Sequence, residues 1–312
     1  MTENEVKRRG FKRKTIEKTI RAKINSWIKT LPEEIRDKVR DDYIVTGGAI
    51  ASMLMGELPN DYDVYFQTPD VALLVASHYV SQLTTTDKVS RIEAKIVDNN
   101  RVSILIKSAG IYEDGVDIDD YRYFEQLSPE EMEKYFTKEP EEGEEKVKKE
   151  PYRPALISTN AISLHNDVQL VTRFIGTPEW IHTNYDYVHC TNWFTNKGGL
   201  VLRQEALEAI LTKELKYVGS LYPLCSMFRL KKFIKRGWTI TAGEMLKIGW
   251  DIAHLDLDNP TVLREQLVGV DAAYFFQLLS MLKGKENIDR TYLFECVNRV
   301  FDADEFNYGD RE

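Results

Sequence analysis

Cysteine is scarce in this chain, with Cys190, Cys225 and Cys296 the only three in 312 residues. An odd number at wide spacing argues against a disulfide framework and a C-x-x-C zinc site, and leaves them as core thiols. Long apolar runs are missing too. Nothing approaches the ~20 residues that span a bilayer, and no apolar stretch follows the basic N-terminus. No membrane partner is expected, therefore, and the cytoplasm is the predicted compartment. Nor is there an overall basic excess, since the net charge is −8. That total alone counts against a nucleic-acid partner, but the charge is segregated. Residues 1–30 hold ten Lys or Arg against three Glu, while acids gather at 114–120 and 130–150. Local fields govern nucleic-acid contact more than the total does, so RNA remains a permitted partner. At 43% apolar and 29% charged, the composition is that of a globular protein with room for two modules.

The most informative stretch is Tyr43 to Phe66, YIVTGGAIASMLMGELPNDYDVYF. Gly47 and Gly48 close a short apolar run and open a helical pattern, where the lack of a side chain lets a phosphate approach backbone N–H groups. Twelve residues lie between Gly48 and Asp61. That length fits a three-turn helix and a return loop through Gly56, Pro59 and Asn60, after which a strand begins. On that strand Asp61 and Asp63, at i and i+2, share one face while Tyr62 and Val64 turn to the core. Two carboxylates on one face suit Mg2+.

These residues resemble the nucleotidyltransferase (polymerase beta-like) superfamily, whose signature is a Gly-Gly or Gly-Ser pair, a helix, then Asp-x-Asp on a strand. The likeness is greatest to the head of class II CCA-adding enzymes and bacterial poly(A) polymerases. Their pattern GGxVRDxLxGxxPxDxD meets GGAIASMLMGELPNDYD here without a gap. The family's Arg-Asp pair is Ala51-Ser52 in this chain, so the role of those charges is absent or supplied elsewhere. The pattern also looks like that of bacteriophage-encoded nucleotidyltransferases, which would place the protein in a host cytoplasm. A third metal carboxylate, expected on a later strand, falls near Gln169, with Asp167 in the presumed turn before it. Asn184 to Phe194 looks like a diverged RRDFTINALAY, keeping Asp186, Asn192 and the aromatic ending. There Asp186 is open to two readings, assisting metal or nucleotide and capping a turn. Tyr222 to Trp238 resembles the start of the family's neck, through Pro223, Leu224, Gly237 and a terminal aromatic.

The rest of the chain frames this site. Ile16, Ile20, Ile24, Trp27 and Ile28 recur at helical spacing and predict a basic amphipathic helix, either facing RNA or packed by its apolar stripe with lysines in water. Helices are expected over 32–42 and 70–83, hairpins over 91–108 and 161–174, and a short helix from Pro178. Charge-dense residues 110–153 read as an acidic insertion. From Leu202 the pattern is helical, over 205–213, 222–236, 242–253 and 271–282. On the 222–236 helix Lys232, Lys235 and Arg236 share a face and Arg229 lies nearby, either a phosphate-binding stripe or a solvated surface. Tyr222 and Trp238 are candidates for base stacking or core packing, and His189 for a structural role. The predicted architecture is α/β, with a basic helix at 1–30, a catalytic head with a mixed sheet at 31–200, and a helical body at 201–312.

The resemblance implies a Mg2+- or Mn2+-dependent transfer of a nucleotide from an NTP to a hydroxyl, with an RNA 3′ end as acceptor. Asp61 and Asp63 would hold the metal. Gly47, Gly48 and Ser52 would receive phosphates, with Asp186, Arg229, Lys232, Lys235 and Arg236 as further nucleotide contacts. Two alternatives stand beside it: transfer to a protein or small molecule, and a catalytically silent binding module.

Overall fold

The computed structural model describes residues 10–82, 89–97, 101–108, 121–123, 151–158, 160–257, 259, 262, 266 and 290–302. Most of the acidic insertion, the predicted helix 271–282 and the first nine residues lie outside these. The chain divides into two compact units, one of Met1–Thr183 with Val188–Thr212, the other of Asn184–Tyr187 with Lys213–Glu312.

The first unit opens with helices α1 (Arg13–Ile28) and α2 (Glu33–Asp42), followed by strand β1 (Tyr43–Thr46), helix α3 (Gly48–Leu54), strand β2 (Tyr62–Phe66) and helix α4 (Pro69–Val80). Strands β3 (Val89–Ile96), β4 (Val102–Ser108) and β5 (Tyr121–Tyr123) make a separate antiparallel sheet. The short β5 thus gives regular structure to part of the stretch read as an insertion. Next come β6 (Pro154–Ile157), β7 (Ala161–Leu164), β8 (Val168–Ile175), α5 (Pro178–His182), a 3-10 turn at Val188–Cys190, β9 (Trp193–Thr195), β10 (Gly199–Val201) and α6 (Gln204–Thr212).

Seven strands form the main sheet in the order β10-β9-β1-β2-β8-β7-β6. It is mixed: β2 runs parallel to β8 and antiparallel to β1, as the predicted α/β class requires. Asn166 and Asp167 take positive φ (63° and 55°) in the β7–β8 turn, a conformation that Asn and Asp tolerate better than most residues.

Register separates the two faces. Leu200, Phe194, Val45, Val64, Leu170 and Ile162 line up across the sheet, and all six are fully buried. Helix α1 covers this face. Its Ile16, Ile20, Ile24, Trp27 and Ile28 are buried, the Arg21 guanidinium lies 5.0 Å from the Phe194 ring, and the Trp27 indole N–H donates to the Tyr79 hydroxyl of α4 at 2.8 Å. The basic helix is therefore a packed element. Arg13 donates to the Leu200 carbonyl and Arg21 to the Asn196 carbonyl, whereas Lys14, Lys18 and Lys29 are exposed.

In the second unit lie β11 (Glu214–Leu215), α7 (Pro223–Lys235), β12 (Thr239–Ile240), α8 (Ala242–Ala253) and α9 (Arg290–Asp302), with β11 and β12 paired in parallel. Pro223 fits the first turn of α7, where its missing N–H has no helical partner to lose. Gly237 ends that helix at φ 81°, and Trp238 N–H donates to the Phe233 carbonyl at 3.1 Å, a Schellman closure that favours glycine.

Truncating the α1 stripe should reveal its packing role. Ile20→Ala is expected to cost about 2–5 kcal/mol and Lys18→Ala less than about 0.5 kcal/mol, read as urea midpoints at constant m.

Candidate active site

The face of the sheet opposite α1 carries the candidate site. In the row one residue from the apolar one, Trp193, Thr46, Asp63, Gln169 and Ser163 are successive register partners. Asp61 precedes β2 by one residue and is exposed, while Asp63 is half-buried. Because Thr46 pairs with Asp63, the glycine turn that follows Thr46 adjoins the aspartate pair.

The two glycines have different duties. Gly47 is buried at φ 98° and ψ −153°, a conformation that a side chain disfavours, and its N–H donates to the Cys190 carbonyl at 3.1 Å. The expectation that its amide receives phosphate needs correcting: that donor already has a protein partner. Gly48 is exposed, and a Cβ placed there meets nothing within 4 Å. The chain itself does not demand glycine at that position, which leaves open backbone beside the carboxylates.

Beneath the turn is a polar cluster that sequence reasoning missed. The Thr46 hydroxyl is fully buried, 2.8 Å from His182 Nε2 and 2.9 Å from the Asn192 carbonyl. Its single proton goes to a carbonyl, so it accepts from the imidazole N–H. Burial, reinforced by the charge of Arg203, lowers the His182 pKa from 6.5 to about 4 and keeps the ring neutral. Asn192 Oδ1 accepts the Arg203 N–H at 2.8 Å, tying the segment ahead of β9 to the start of α6. Only Asn192 carried a sequence signal, through its motif.

The remaining candidates fall as follows. Ala51 and Ser52, at 2% and 8% exposed, sit inside α3 where the family's charged pair would be buried, and Ser52 lies one turn below Gly48. Asp167 is drawn elsewhere, because its carboxylate meets Lys23 Nζ at 3.3 Å and that ammonium also lies over the Tyr62 ring on the α1 face. Gln169 occupies the register beside Asp63. In the second unit the structure joins two predicted residues: the Asp186 carboxylate accepts Arg229 at 2.9 Å and the Tyr187 N–H at 2.9 Å. Lys232, Lys235 and Arg236 are exposed at the C-terminal end of α7, where the helix dipole favours cations. Trp238 is a core residue at 3% exposure, packed edge-on to Phe233, and His189 is buried.

Among the described residues, no group of three or more His, Cys, Asp or Glu comes together. The donor set nonetheless fits a hard cation. Mg2+ is commonly held by one or two carboxylates with substrate phosphates and water completing its shell, and the carboxylates available here are Asp63 on β2 and exposed Asp61 just ahead of that strand. No helix among the described residues is long and apolar enough to cross a membrane.

Fold and site together define a mixed α/β protein with a glycine turn beside a strand that carries Asp63, with Asp61 immediately ahead of it. The chain belongs to the Gabija anti-defense 2 family, whose model matches residues 18–213. No curated protein matches the sequence. Among solved structures it is similar to the Thermotoga maritima CCA-adding enzyme complexed with tRNA, at 12% identity and TM-score 0.38 over 89% of this chain and 53% of that one. It is also similar to the Bacillus stearothermophilus CCA-adding enzyme in complex with CTP, at 11% identity and TM-score 0.38 over 84% and 52%. The chain spans about half the length of these structures, and a likeness this distant carries no argument about activity.

Two outcomes test this reading of the site. Gly47→Ala is expected to destabilise by about 1–2 kcal/mol, whereas Gly48→Ala should leave stability unchanged or raise it by up to about 1 kcal/mol, measured by denaturant unfolding. For His182, the unfolded ring takes up a proton below 6.5 while the folded ring resists until about 4. Its contribution is therefore complete above pH 6.5, falls as pH drops towards 4, and levels off below, a loss on the order of 3 kcal/mol that His182→Gln should remove from the pH profile.

Proposed function

We propose that this protein is a metal-dependent nucleotidyltransferase that transfers a nucleotide from an NTP to an acceptor hydroxyl and works against the Gabija defence. What supports the reading is Asp63 on the sheet face away from α1, exposed Asp61 two residues before it, and the open backbone of Gly48 two residues after its register partner Thr46. Asp61 and Asp63 would hold Mg2+ or Mn2+. When bound, the ion supplies charge neutralisation at the triphosphate and at the departing pyrophosphate.

The chain's own residues do the positioning. Gly48 admits the phosphates to the backbone, and the Thr46–His182–Asn192 cluster keeps the turn in place. Gln169 adds a neutral amide beside Asp63. Such pre-organisation supplies most of the acceleration in phosphoryl-type transfer, where little covalent chemistry falls to the protein. Membership in a family described as Gabija anti-defense supports the biological role. An RNA 3′ end is the acceptor that the sequence motifs favour.

A second reading is a silent binding module. It is favoured by Gln169 at the register beside Asp63, where a third acid was expected, and by the lack of a three-acid cluster among the described residues.

Incubation with each α-labelled NTP, Mg2+ and total RNA, next to an Asp61→Ala/Asp63→Ala variant, tests the proposal. Label entering RNA from one nucleotide and lost in the variant is the expected result, and label in a protein band would move the acceptor to protein. Failure of both, without metal-dependent NTP binding, would leave the silent module. Gly48→Ala should lower transfer at least tenfold without loss of stability, on the order of a misplaced phosphate contact. In cells carrying Gabija, the wild-type chain should relieve the defence and the double variant should not.

A further inference from the structure

Away from the aspartates, the second unit carries an open cavity of about 420 Å³ between the Ser220–Pro223 segment and the end of α8. Trp250, Asp251 and His254 form one wall, and Leu221 and Leu255 contribute apolar surface. Trp250 is 65% exposed, unusual for the largest apolar side chain, and Leu246 one turn before it is 69% exposed. The wall is ordered by its own contacts. The His254 ring lies 5.5 Å from the Trp250 ring, with Nδ1 2.7 Å from the Trp250 carbonyl.

Asp251 is fixed from behind. Its Oδ2 accepts the hydroxyl of Tyr217, a residue only 3% exposed, at 2.8 Å. Burial first, then the hydrogen bond and charge of Asp251, push the Tyr217 hydroxyl well above its ordinary range, so it remains a donor. Among the described residues, the lining includes one carboxylate and no Lys or Arg. Lys247, on the same helix, is tied to Glu244 at 2.7 Å, and exposed Asp256 follows the helix end.

An indole face beside an immobilised carboxylate, with no Lys or Arg among the described lining residues, selects for positive charge. A phosphate would meet Asp251 as a like charge, and a purely apolar group would desolvate it with only the neutral Tyr217 hydroxyl in compensation. A guanidinium satisfies both walls, stacking on the indole and pairing with the carboxylate. We propose that this cavity receives an arginine side chain of a partner protein, with Leu221 and Leu246 seating the apolar residues that flank that arginine. The surface is independent of the nucleotidyltransferase reading, and its test does not involve NTP.

The five tryptophan indole N–H signals of the full chain, with Trp250 assigned through Trp250→Phe, would be followed by NMR during titration with acetyl-Leu-Arg-Leu-amide. The expected result is a saturable shift of the Trp250 signal in the millimolar range or below. The citrulline peptide, which has the same shape without the charge, should not produce it. Asp251→Asn keeps an acceptor for Tyr217 and should weaken binding about fivefold, the scale of one exposed ion pair or cation–ring contact. Equal shifts with the citrulline peptide, a response to AMP in place of the peptide, or an unmoved Trp250 signal would each overturn the proposal.

Discussion

The Thr46 hydroxyl holds together the part of the fold on which the site depends. It sits at the end of β1 between the His182 imidazole and the carbonyls of the segment leading into β9, while the next residue donates its N–H to Cys190. Two stretches far apart in sequence, the end of β1 and residues 182–192, meet there. A buried hydroxyl in this position is stable only when both its donor and its acceptor needs are met, which ties the geometry of the glycine turn to a neutral His182. The aspartate pair inherits its position from the same joint, since Asp63 is the register partner of Thr46.

The two faces of the main sheet divide the work. The α1 face carries a fully buried apolar row covered by isoleucines and Trp27, and the basic residues of α1 are partly structural: Arg13 and Arg21 bond backbone carbonyls near the β9–β10 edge, and Lys23 holds Asp167. Such contacts draw charge away from any nucleic-acid role for the helix. On the other face the central row is polar, which a sheet tolerates where water or ligand can reach.

Much of the architecture was legible because it is written in local periodicity. The stripe of Ile16, Ile20, Ile24, Trp27 and Ile28 has the 3.6-residue repeat of a helix, and α8 begins and ends where its pattern does. The β7–β8 hairpin was marked by Asn166 and Asp167, which tolerate the left-handed turn. Strand β5 escaped notice because three residues within a charge-dense stretch carry too little pattern, and they become a strand only by pairing with β4. Asp186 and Arg229 were each singled out, but not as partners; 43 positions separate them.

What the amino-acid order determined unaided is the glycine turn, a helix after it, shorter at Gly48–Leu54 than the three turns expected, and a strand that sets Asp63 on the face opposite Val64, because each follows from steric freedom or from the two-residue alternation of a strand. Tertiary structure alone decided that the Gly47 amide belongs to Cys190, that Asp167 turns to Lys23, and that Tyr217 fixes Asp251 beneath an exposed tryptophan. Each of those joins residues that no local repeat connects. Strand order, register and the requirement that buried polar groups find partners select them, and these exist only once the chain has closed on itself.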